Sequence, residues 1–433
     1  MLVDKPSPHT PPRPAATAAK APGGGRAWAV WAAAAAVYLV AMFHRSSLSV
    51  AGIAAAERFH IGAAELSSFT VLQLVVYAGM QLPVGVLLDR YGSRRLLATG
   101  LTLMTVGQLG FALVPGYVGG LAMRALVGAG DAMSFLSVLR LVAAWFPPLR
   151  NPLLTQLTSL SGQLGALITA VPMAAALARF GWSSTFIGAA LLGLSAGVGL
   201  LLVVRDHPQP APNASAPRWR TVLAGLRASW REPGTRLGVW AYFTSMFFPS
   251  TLLLLWGYPW LVDAQQLAPA IAARLLSLLT LASMASAPLF GHLLSHRPGW
   301  RLPFMAVLVT ASAGLLALVL AWPGAAPVGL LAGLLGVTGV GFSGALVAFD
   351  FARETSTPER LGTALALVNV GGFTSTVLAL FGVGLVLDLV TPGAAAGTRY
   401  GADAYRLAMT VPFALWGVGA AMLWRQWRTR QRR

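Results

Sequence analysis

The sequence of 433 residues contains no cysteine and only two lysines, Lys5 and Lys20. Without cysteine, the chain cannot form disulfide bonds, hold an iron–sulfur cluster or use a thiol as a nucleophile. No lysine after residue 20 can stand beside a phosphate-binding glycine loop, so the chain does not carry its own ATPase. Histidines do not cluster at metal-ligand spacing, so we predict no metal site and no cofactor. No nucleophile–base pair or cluster of catalytic carboxylates is present, which argues against an enzyme.

Charge is also scarce: 10% of the residues are charged, whereas 56% are hydrophobic. Several apolar runs exceed the roughly 18 residues that indicate a membrane-spanning helix. A formal net charge of +18 would suggest nucleic-acid binding in a soluble protein. Here the basic residues fall mostly in loops and tails, so no nucleic-acid partner is predicted. The composition predicts an all-α membrane protein whose main partner is the lipid bilayer.

Apolar runs between charged or Pro/Gly-rich breaks predict twelve transmembrane helices. They lie near 27–51, 65–88, 96–115, 118–142, 152–178, 183–204, 236–261, 271–294, 302–322, 327–350, 361–387 and 405–424. A polar, arginine-rich linker at 205–235 separates an N-terminal bundle, 27–204, from a C-terminal bundle, 236–424. Residues 1–26 lack an apolar core and are predicted to be a disordered tail rather than a signal peptide, and 425–433 form a basic tail.

The distribution of basic residues predicts that both chain ends are cytoplasmic, because Lys and Arg favour the cytoplasmic side. In that orientation the inner tails and loops carry 24 Lys and Arg residues, and the outer loops carry five. The sequon at Asn213 then lies inside the cell and stays unglycosylated. Abundant Ala, Gly and Arg with few Lys suggest a GC-rich bacterial genome, and hence the bacterial cytoplasmic membrane.

The two halves of the chain repeat one another. The stretch GVLLDRYGSRR begins at Gly85, and a weaker copy, GHLLSHRPGWR, begins at Gly291, 206 residues later. Further pairs at similar spacing are Gln163 and Asn369, Gly128 and Gly339, and Gly130 and Gly341. An internal repeat of two six-helix units is typical of secondary transporters.

GVLLDRYGSRR resembles the signature loop between helices two and three of the major facilitator superfamily, with Ser93 where an arginine is commoner. RALVGAG, from Arg124 to Gly130, is similar to the helix-four pattern of the same superfamily. The resemblance covers nearly all of residues 27–424. It implies two pseudo-symmetric six-helix bundles that expose a central site to each side of the membrane in turn.

The resemblance also implies that the signature loop belongs to a reversible latch between the bundles. We expect Asp89 at its centre with Arg140 as its partner. In the second half the signs are exchanged, so that the acid, Asp350, lies near the position that corresponds to Arg140. The predicted latch residues are Gly85, Asp89, Arg90, Gly92, Arg94, Arg95, Arg140, Arg297, Arg301 and Asp350. The alternative is a set of ordinary cytoplasmic loop charges with a solvated Asp89.

Ionised side chains inside the membrane are costly, so each one suggests a function. Helix one carries His44 and Arg45, and helix four carries Arg124 and Asp131. The resemblance places helices one, four, seven and ten around a central cavity, where two arginines against one aspartate would favour an anion. The predicted substrate-binding residues are Tyr38, His44, Arg45, Arg124, Asp131, Gln163 and Asn369.

Alternatives remain open for these residues. Arg124 and Asp131 could satisfy one another, and Arg45 could extend to the outer interface. Gln163 and Asn369 could bond between helices instead of lining a cavity. Either Asp131 or His44 could carry a coupled proton.

Together these features predict a monomeric secondary active transporter of a small solute, with a small organic anion as the favoured substrate. A drug or metabolite efflux antiporter is the main alternative. A membrane sensor that binds a ligand without moving it is a second one.

Overall fold

The computed structural model describes residues 23–61, 63–208, 219–391 and 400–431, and every regular element in these ranges is helical. The helices are α1 Gly25–Phe59, α2 Ala63–Tyr91, α3 Ser93–Leu113, α4 Tyr117–Ala132, α5 Ser134–Trp145, α6 Asn151–Ile168, α7 Ala174–Val203, α8 Trp219–Arg231, α9 Pro233–Ser250, α10 Gly257–Pro259, α11 Pro269–His296, α12 Arg301–Ala321, α13 Val328–Gly344, α14 Ala348–Thr355, α15 Leu361–Val390, α16 Ala402–Ala408 and α17 Val411–Gln431.

Within these ranges, eleven helical segments are long and apolar enough to cross a membrane. The remaining predicted span, 152–178, corresponds to α6, which is richer in Thr, Ser and Gln and continues through a π-helical stretch, Thr169–Met173, into α7. Helix α7 is itself broken at Gly181, where φ is 74° and ψ is −178°. A side chain would strain this backbone, so the glycine allows the chain to separate the fifth span from the sixth.

The predicted linker and tails are partly helical. Residues 1–22 of the predicted N-terminal tail lie outside the described residues, and so does the stretch 209–218 with its sequon at Asn213. The rest of the linker includes the arginine-rich helix α8, and the predicted C-terminal tail continues α17 as far as Gln431.

Glycines at close helix contacts reveal the internal repeat. A Cβ atom on Gly162 of α6 would overlap the ring of Tyr38 in α1, and one on Gly372 of α15 would overlap the ring of Tyr242 in α9. These four residues therefore occupy equivalent places in the two bundles. The missing side chain lets each pair of helices approach closely around the ring.

The same contacts test the predicted repeat pairs. Gly128 packs against the backbone of α2 and Gly339 against the backbone of α11, so the predicted equivalence of these two glycines is confirmed. The pairing of Gln163 with Asn369 is wrong. The residue after Gly162 corresponds to the residue after Gly372, and Asn369 lies about one helical turn earlier. A single offset of 206 residues fails here because the connecting segments of the two halves differ in length.

The two bundles contact each other along α2 with α15 and along α6 with α11. Gly85 of α2 lies against Ala366 of α15, and Gly291 of α11 lies against the backbone of Leu153 in α6. These contacts are equivalent under the repeat, and both lie towards the end of the bundles where α2 finishes and α15 begins. We call this end the latch face.

Candidate functional site

An ion pair between Arg45 of α1 and Asp131 of α4 lies inside the N-terminal bundle. Arg45 Nε donates to Asp131 Oδ2 at 2.5 Å. The Asp131 side chain is 1% exposed and that of Arg45 is 23% exposed. A buried carboxylate requires a partner because its loss of hydration is costly. The pair therefore anchors Arg45, whose side chain remains partly exposed.

Two tyrosines lie beside this guanidinium, and a third lies next to those two. Arg45 Cζ lies 4.2 Å from the ring centroid of Tyr77, a cation–π contact. Tyr38 is a further electrostatic neighbour of Arg45, and Tyr242 is a neighbour of both Tyr77 and Tyr38. Tyr38 and Tyr77 belong to α1 and α2, whereas Tyr242 belongs to α9. The cluster therefore combines side chains from both bundles.

A row of aromatic rings crosses from one bundle to the other beside this cluster. Tyr38 contacts Phe135 with centroids 5.3 Å apart, Phe135 contacts Phe349 at 5.7 Å, and Phe349 contacts Tyr242 at 4.9 Å. We call these four residues the aromatic row. Phe135 lies one helical turn beyond the aspartate of the ion pair, in the direction of the latch face. The row therefore separates Arg45 from the latch face.

Arg124 is almost fully buried, at 1% exposure. It donates to Gln73 Oε1 of α2, to Ser47 Oγ at 3.3 Å and to the main-chain oxygen of Arg45 at 3.4 Å. All three partners belong to the N-terminal bundle. These contacts tie α4 to α1 and α2 and leave no guanidinium surface for a solute.

The other predicted substrate residues lie apart from the ion pair. His44 is fully buried and faces Gly193 of α7. Gln163 is partly exposed on α6, and within the described ranges its side chain makes no hydrogen bond. Asn369 Nδ2 donates to Gln81 Oε1 at 2.6 Å, and both amides are buried. Asn369 therefore joins α15 to α2 between the bundles.

At the latch face, the carboxylate of Asp89 caps a helix of the opposite bundle. Asp89 Oδ1 accepts a hydrogen bond from the Gly362 amide at 2.7 Å. Its Oδ2 accepts bonds from the Thr363 amide at 2.8 Å and from Thr363 Oγ1 at 2.5 Å. Amides in the first turn of a helix have no partner within that helix and carry partial positive charge. Asp89 of α2 thus satisfies and neutralises the start of α15.

Arg140 holds this carboxylate from its own bundle. Arg140 Nη1 lies 3.3 Å from Asp89 Oδ1 and also donates to the main-chain oxygen of Leu88. Because α2 and α5 belong to the same bundle, the ion pair does not itself join the two halves. It orients the carboxylate that does.

The other residues of the signature loop contact the N-terminal bundle. Gly92 has a φ of 80°, which favours glycine. The amide of Arg94 donates to Asp206 Oδ1 at 2.9 Å, just beyond the end of α7. The guanidinium of Arg90 lies over the neighbouring tyrosine ring, and Arg95 is exposed.

In the second half, Asp350 contacts its own helix instead of the signature loop. Arg353 Nη1 donates to Asp350 Oδ1 at 2.6 Å and to Thr155 Oγ1 at 2.9 Å. Thr155 lies on α6 of the opposite bundle. The residue that joins the bundles here is therefore Arg353, a basic residue that the sequence does not distinguish from other cytoplasmic loop charges.

The two arginines predicted for the second half of the latch have different surroundings. Arg301 is buried and pairs with Glu354 of α14. The guanidinium of Arg297 lies over the ring of Trp300, with 5.2 Å between Cζ and the centroid. Both contacts stay within the C-terminal bundle.

Sequence reasoning missed the aromatic residues of the site, apart from Tyr38. Tyr77 and Tyr242 lie in apolar runs where aromatic residues are common, so their type alone gives no signal. The signal that could have found Tyr242 is the repeat, because Tyr38 and Tyr242 are 204 residues apart. Asp89's partners, Gly362 and Thr363, were missed because a capping interaction uses main-chain amides.

The chain matches the family model described as Major Facilitator Superfamily over residues 34–380. It is 26% identical to the probable L-galactonate transporter of Escherichia coli (strain K12) over 163 residues, 38% of this chain and 36% of the relative. It is also 26% identical to the hexuronate transporter of Bacillus subtilis (strain 168) over 165 residues, 38% of this chain and 39% of the relative. Each match therefore spans less than two fifths of the relative's length.

The fold is similar to that of the proton:xylose symporter XylE, solved with 6-bromo-6-deoxy-D-glucose. The TM-score is 0.64 at 14% identity, and the match covers 92% of this chain and 95% of that one. This similarity shows that the two share one fold. It confirms the predicted all-α architecture of two pseudo-symmetric bundles.

Proposed function

The chain belongs to the major facilitator superfamily and is a multi-pass membrane protein, and we propose that it transports a small organic anion by alternating access. The observation that carries this proposal is the exposure of Arg45 above a buried Asp131. An arginine that is held in place and has a partly exposed side chain can offer its guanidinium to a carboxylate through two parallel hydrogen bonds.

The substrate class we propose is a hydroxylated carboxylic acid. Tyr38 and Tyr77 lie beside Arg45, Tyr242 lies next to these two tyrosines, and each phenol can donate and accept a hydrogen bond. An acid with several hydroxyl groups would use both kinds of contact. The relatives named above are a hexuronate transporter and a probable L-galactonate transporter; hexuronate and L-galactonate are sugar acids, and this supports the proposed class.

Asp131 is the residue that we assign to the coupled proton. In the structure the carboxylate of Asp131 is paired with the guanidinium of Arg45. A substrate carboxylate must therefore compete with Asp131 for Arg45. A proton on Asp131 neutralises this competitor and leaves the charge of Arg45 to the substrate. Proton and anion would then be bound and released together, as in a symporter. His44 is less suited to this role because it faces α7.

We assign the structure to the state that is closed at the latch face. Contacts between the bundles run from the rings of Tyr77 and Phe373, 5.1 Å apart, to Asp89 and the start of α15. We place the latch face on the cytoplasmic side of a bacterial inner membrane, where the excess of loop arginines favours it. The monomer is the proposed transporting unit, since one chain holds both bundles.

Proteoliposome uptake tests this function. We expect saturable uptake of a radiolabelled hexuronate such as glucuronate when a proton gradient is imposed, and none without the protein. Arg45→Gln should lower uptake by about tenfold or more, the loss expected for a buried charge-assisted contact of ~1.5–3 kcal/mol. Arg274→Gln, an exposed arginine of α11, is the matched control and should transport normally.

Three outcomes would contradict the proposal. Transport of lipophilic cations in place of sugar acids would indicate efflux. Binding of the acid without flux would indicate a sensor. Unchanged uptake by Arg45→Gln would remove this residue from the site.

A further inference from the structure

A cavity of about 580 Å³ opens between the two bundles at the latch face. We call it the vestibule. The aromatic row separates it from Arg45, and the proposed transport site does not include it. Its ionisable lining residues include Arg140 from the N-terminal bundle and Arg301, Asp350, Arg353 and Glu354 from the C-terminal bundle. Any ligand that fills the vestibule must therefore touch both halves of the protein.

Arg353 supplies the strongest indication of a ligand. Its side chain is only 5% exposed. One terminal nitrogen is bonded to Asp350 and Thr155, but Nε and Nη2 are buried without a hydrogen-bond partner. Buried donors left unpaired destabilise the folded protein. Two such donors on a residue that lines a cavity call for acceptor oxygens within that cavity.

The vestibule also contains buried acceptors without partners. Asp350 and Asn151 line the space, and their buried oxygens Oδ2 and Oδ1 accept no hydrogen bond in the described ranges. A ligand that satisfies the whole site must therefore offer a hydroxyl donor as well as oxyanion acceptors. Monohydrogen phosphate carries both.

The charge of the lining agrees with an anion. Three arginines, two acids and His207 line the vestibule, which leaves one net positive charge when the histidine is neutral. Guanidinium groups match the geometry of phosphate and carboxylate oxygens. An anion would also reduce the repulsion among the arginines.

From these observations, we propose that the vestibule is a second, separate site that binds a hydroxyl-bearing oxyanion such as inorganic phosphate and thereby holds the two bundles together. Opening the latch face would pull Arg140 and Asn151 away from Arg301 and Arg353, so the ligand must leave before the face opens. An oxyanion on that side should slow the transport cycle. The slowing of transport rests on the proposed function. Binding of the oxyanion in the vestibule does not.

The first test is thermal unfolding of the purified full chain with increasing inorganic phosphate, at fixed pH and at an ionic strength kept constant with chloride. We expect the unfolding temperature to rise and then saturate, as ligand binding to the folded state requires. Arg353→Lys retains the positive charge but removes the two unpaired donors, and it should lose most of this rise. The side chain of Asn151 makes no hydrogen bond to another described residue, and Asn151→Ala should also make the rise in unfolding temperature smaller. Arg297→Lys is the matched control, because Arg297 lies over Trp300 outside the cavity, and it should keep the full rise.

The second test follows the distance between the bundles. Because the chain has no cysteine, spin labels can be placed at Tyr91→Cys and Trp300→Cys, two exposed positions at the latch face. Phosphate should increase the fraction of molecules at the shorter distance in the wild-type background and not in Arg353→Lys. In proteoliposomes, phosphate on the latch-face side should lower the initial rate of uptake.

The results that would overturn this inference are distinct from those that would overturn the transport proposal. No saturable rise in unfolding temperature, or an equal rise in Arg353→Lys, would exclude the vestibule site. A rise that disappears in Arg45→Gln but persists in Arg353→Lys would place phosphate at the transport site instead. A phosphate effect that Arg45→Gln retains would support the vestibule even in a protein that moves no sugar acid.

Discussion

Asp89 and Thr363 belong to opposite bundles, and the carboxylate of Asp89 accepts both the amide and the hydroxyl hydrogen bond of Thr363, at 2.8 Å and 2.5 Å. The carboxylate is held by the hydroxyl hydrogen bond and also by the helix end, since the negative charge of Asp89 faces the partial positive charge of the first turn of α15. The contact can break without leaving an unpaired carboxylate, since Arg140 remains beside Asp89. This combination suits a contact that must form and separate in every cycle.

Thr363→Val should weaken the latch without changing the volume of the side chain. It removes one hydrogen bond to a charged acceptor, worth ~1.5–3 kcal/mol, and so should reduce the ratio of closed to open molecules by about tenfold or more. Spin-label distances across the latch face measure this ratio. Thr102→Val, which loses only a bond to a main-chain oxygen within α3, should leave the distances unchanged.

Gly85→Ala should prevent close packing of α2 against α15. The added methyl group would overlap Ala366 and come within 3.0 Å of the main-chain oxygen of Gly362. We expect a protein that folds but transports at a small fraction of the wild-type rate, because the closed latch face cannot form. Gly79→Ala is the control on the same helix. A Cβ there has nothing within 4 Å, and normal transport is expected. Equal rates for the two variants would show that the approach of α2 to α15 does not limit transport.

Arg45→Lys should separate charge from geometry at the proposed substrate site. Lysine keeps the positive charge but cannot make two parallel hydrogen bonds to a carboxylate. The KM for the anion should rise by about tenfold, with a smaller change in kcat, since one of two charge-assisted bonds is lost. Uptake measured over a range of substrate concentrations gives both values. A variant with wild-type KM would show that the charge alone is sufficient.

Arg124→Gln should affect stability more than substrate affinity. Arg124 is buried among Gln73, Ser47 and the main chain of α1, so its loss removes contacts that join three helices. The unfolding temperature in detergent should fall by several degrees, as expected for a loss of about 2–3 kcal/mol. The KM of the folded fraction should stay near that of the wild type. A large rise in KM at unchanged stability would instead place Arg124 in the substrate site.

The sequence predicted the fold well, for physical reasons, and it singled out the acid that the structure places between the bundles. Long apolar runs have no other stable location than a bilayer, so hydropathy identifies eleven of the twelve predicted spans in the described residues. Arg45 and Asp131 were found because charge is rare inside a membrane, and Asp89 because it interrupts an arginine-rich turn.

Other parts of the site could not be read in this way. The partners of Asp89 are main-chain amides, which every residue type carries. Arg124 and Arg45 look alike in sequence, and only burial distinguishes the structural guanidinium from the accessible one. Arg353 was missed because basic residues are common near the ends of transmembrane helices, and only its contact with Thr155 reveals its position between the bundles.

The most direct test of the latch is the distance distribution between spin labels at Tyr91→Cys and Trp300→Cys. It is measured in the labelled parent protein, which has Asp89, and in the same protein with Asp89→Asn. The latch account predicts that a short distance is the major one in the parent protein. In Asp89→Asn the charge is lost and the amide group of asparagine opposes an amide donor of α15, so a longer distance should become the major one. A distribution that does not change on this substitution would contradict the claim that Asp89 closes the latch face.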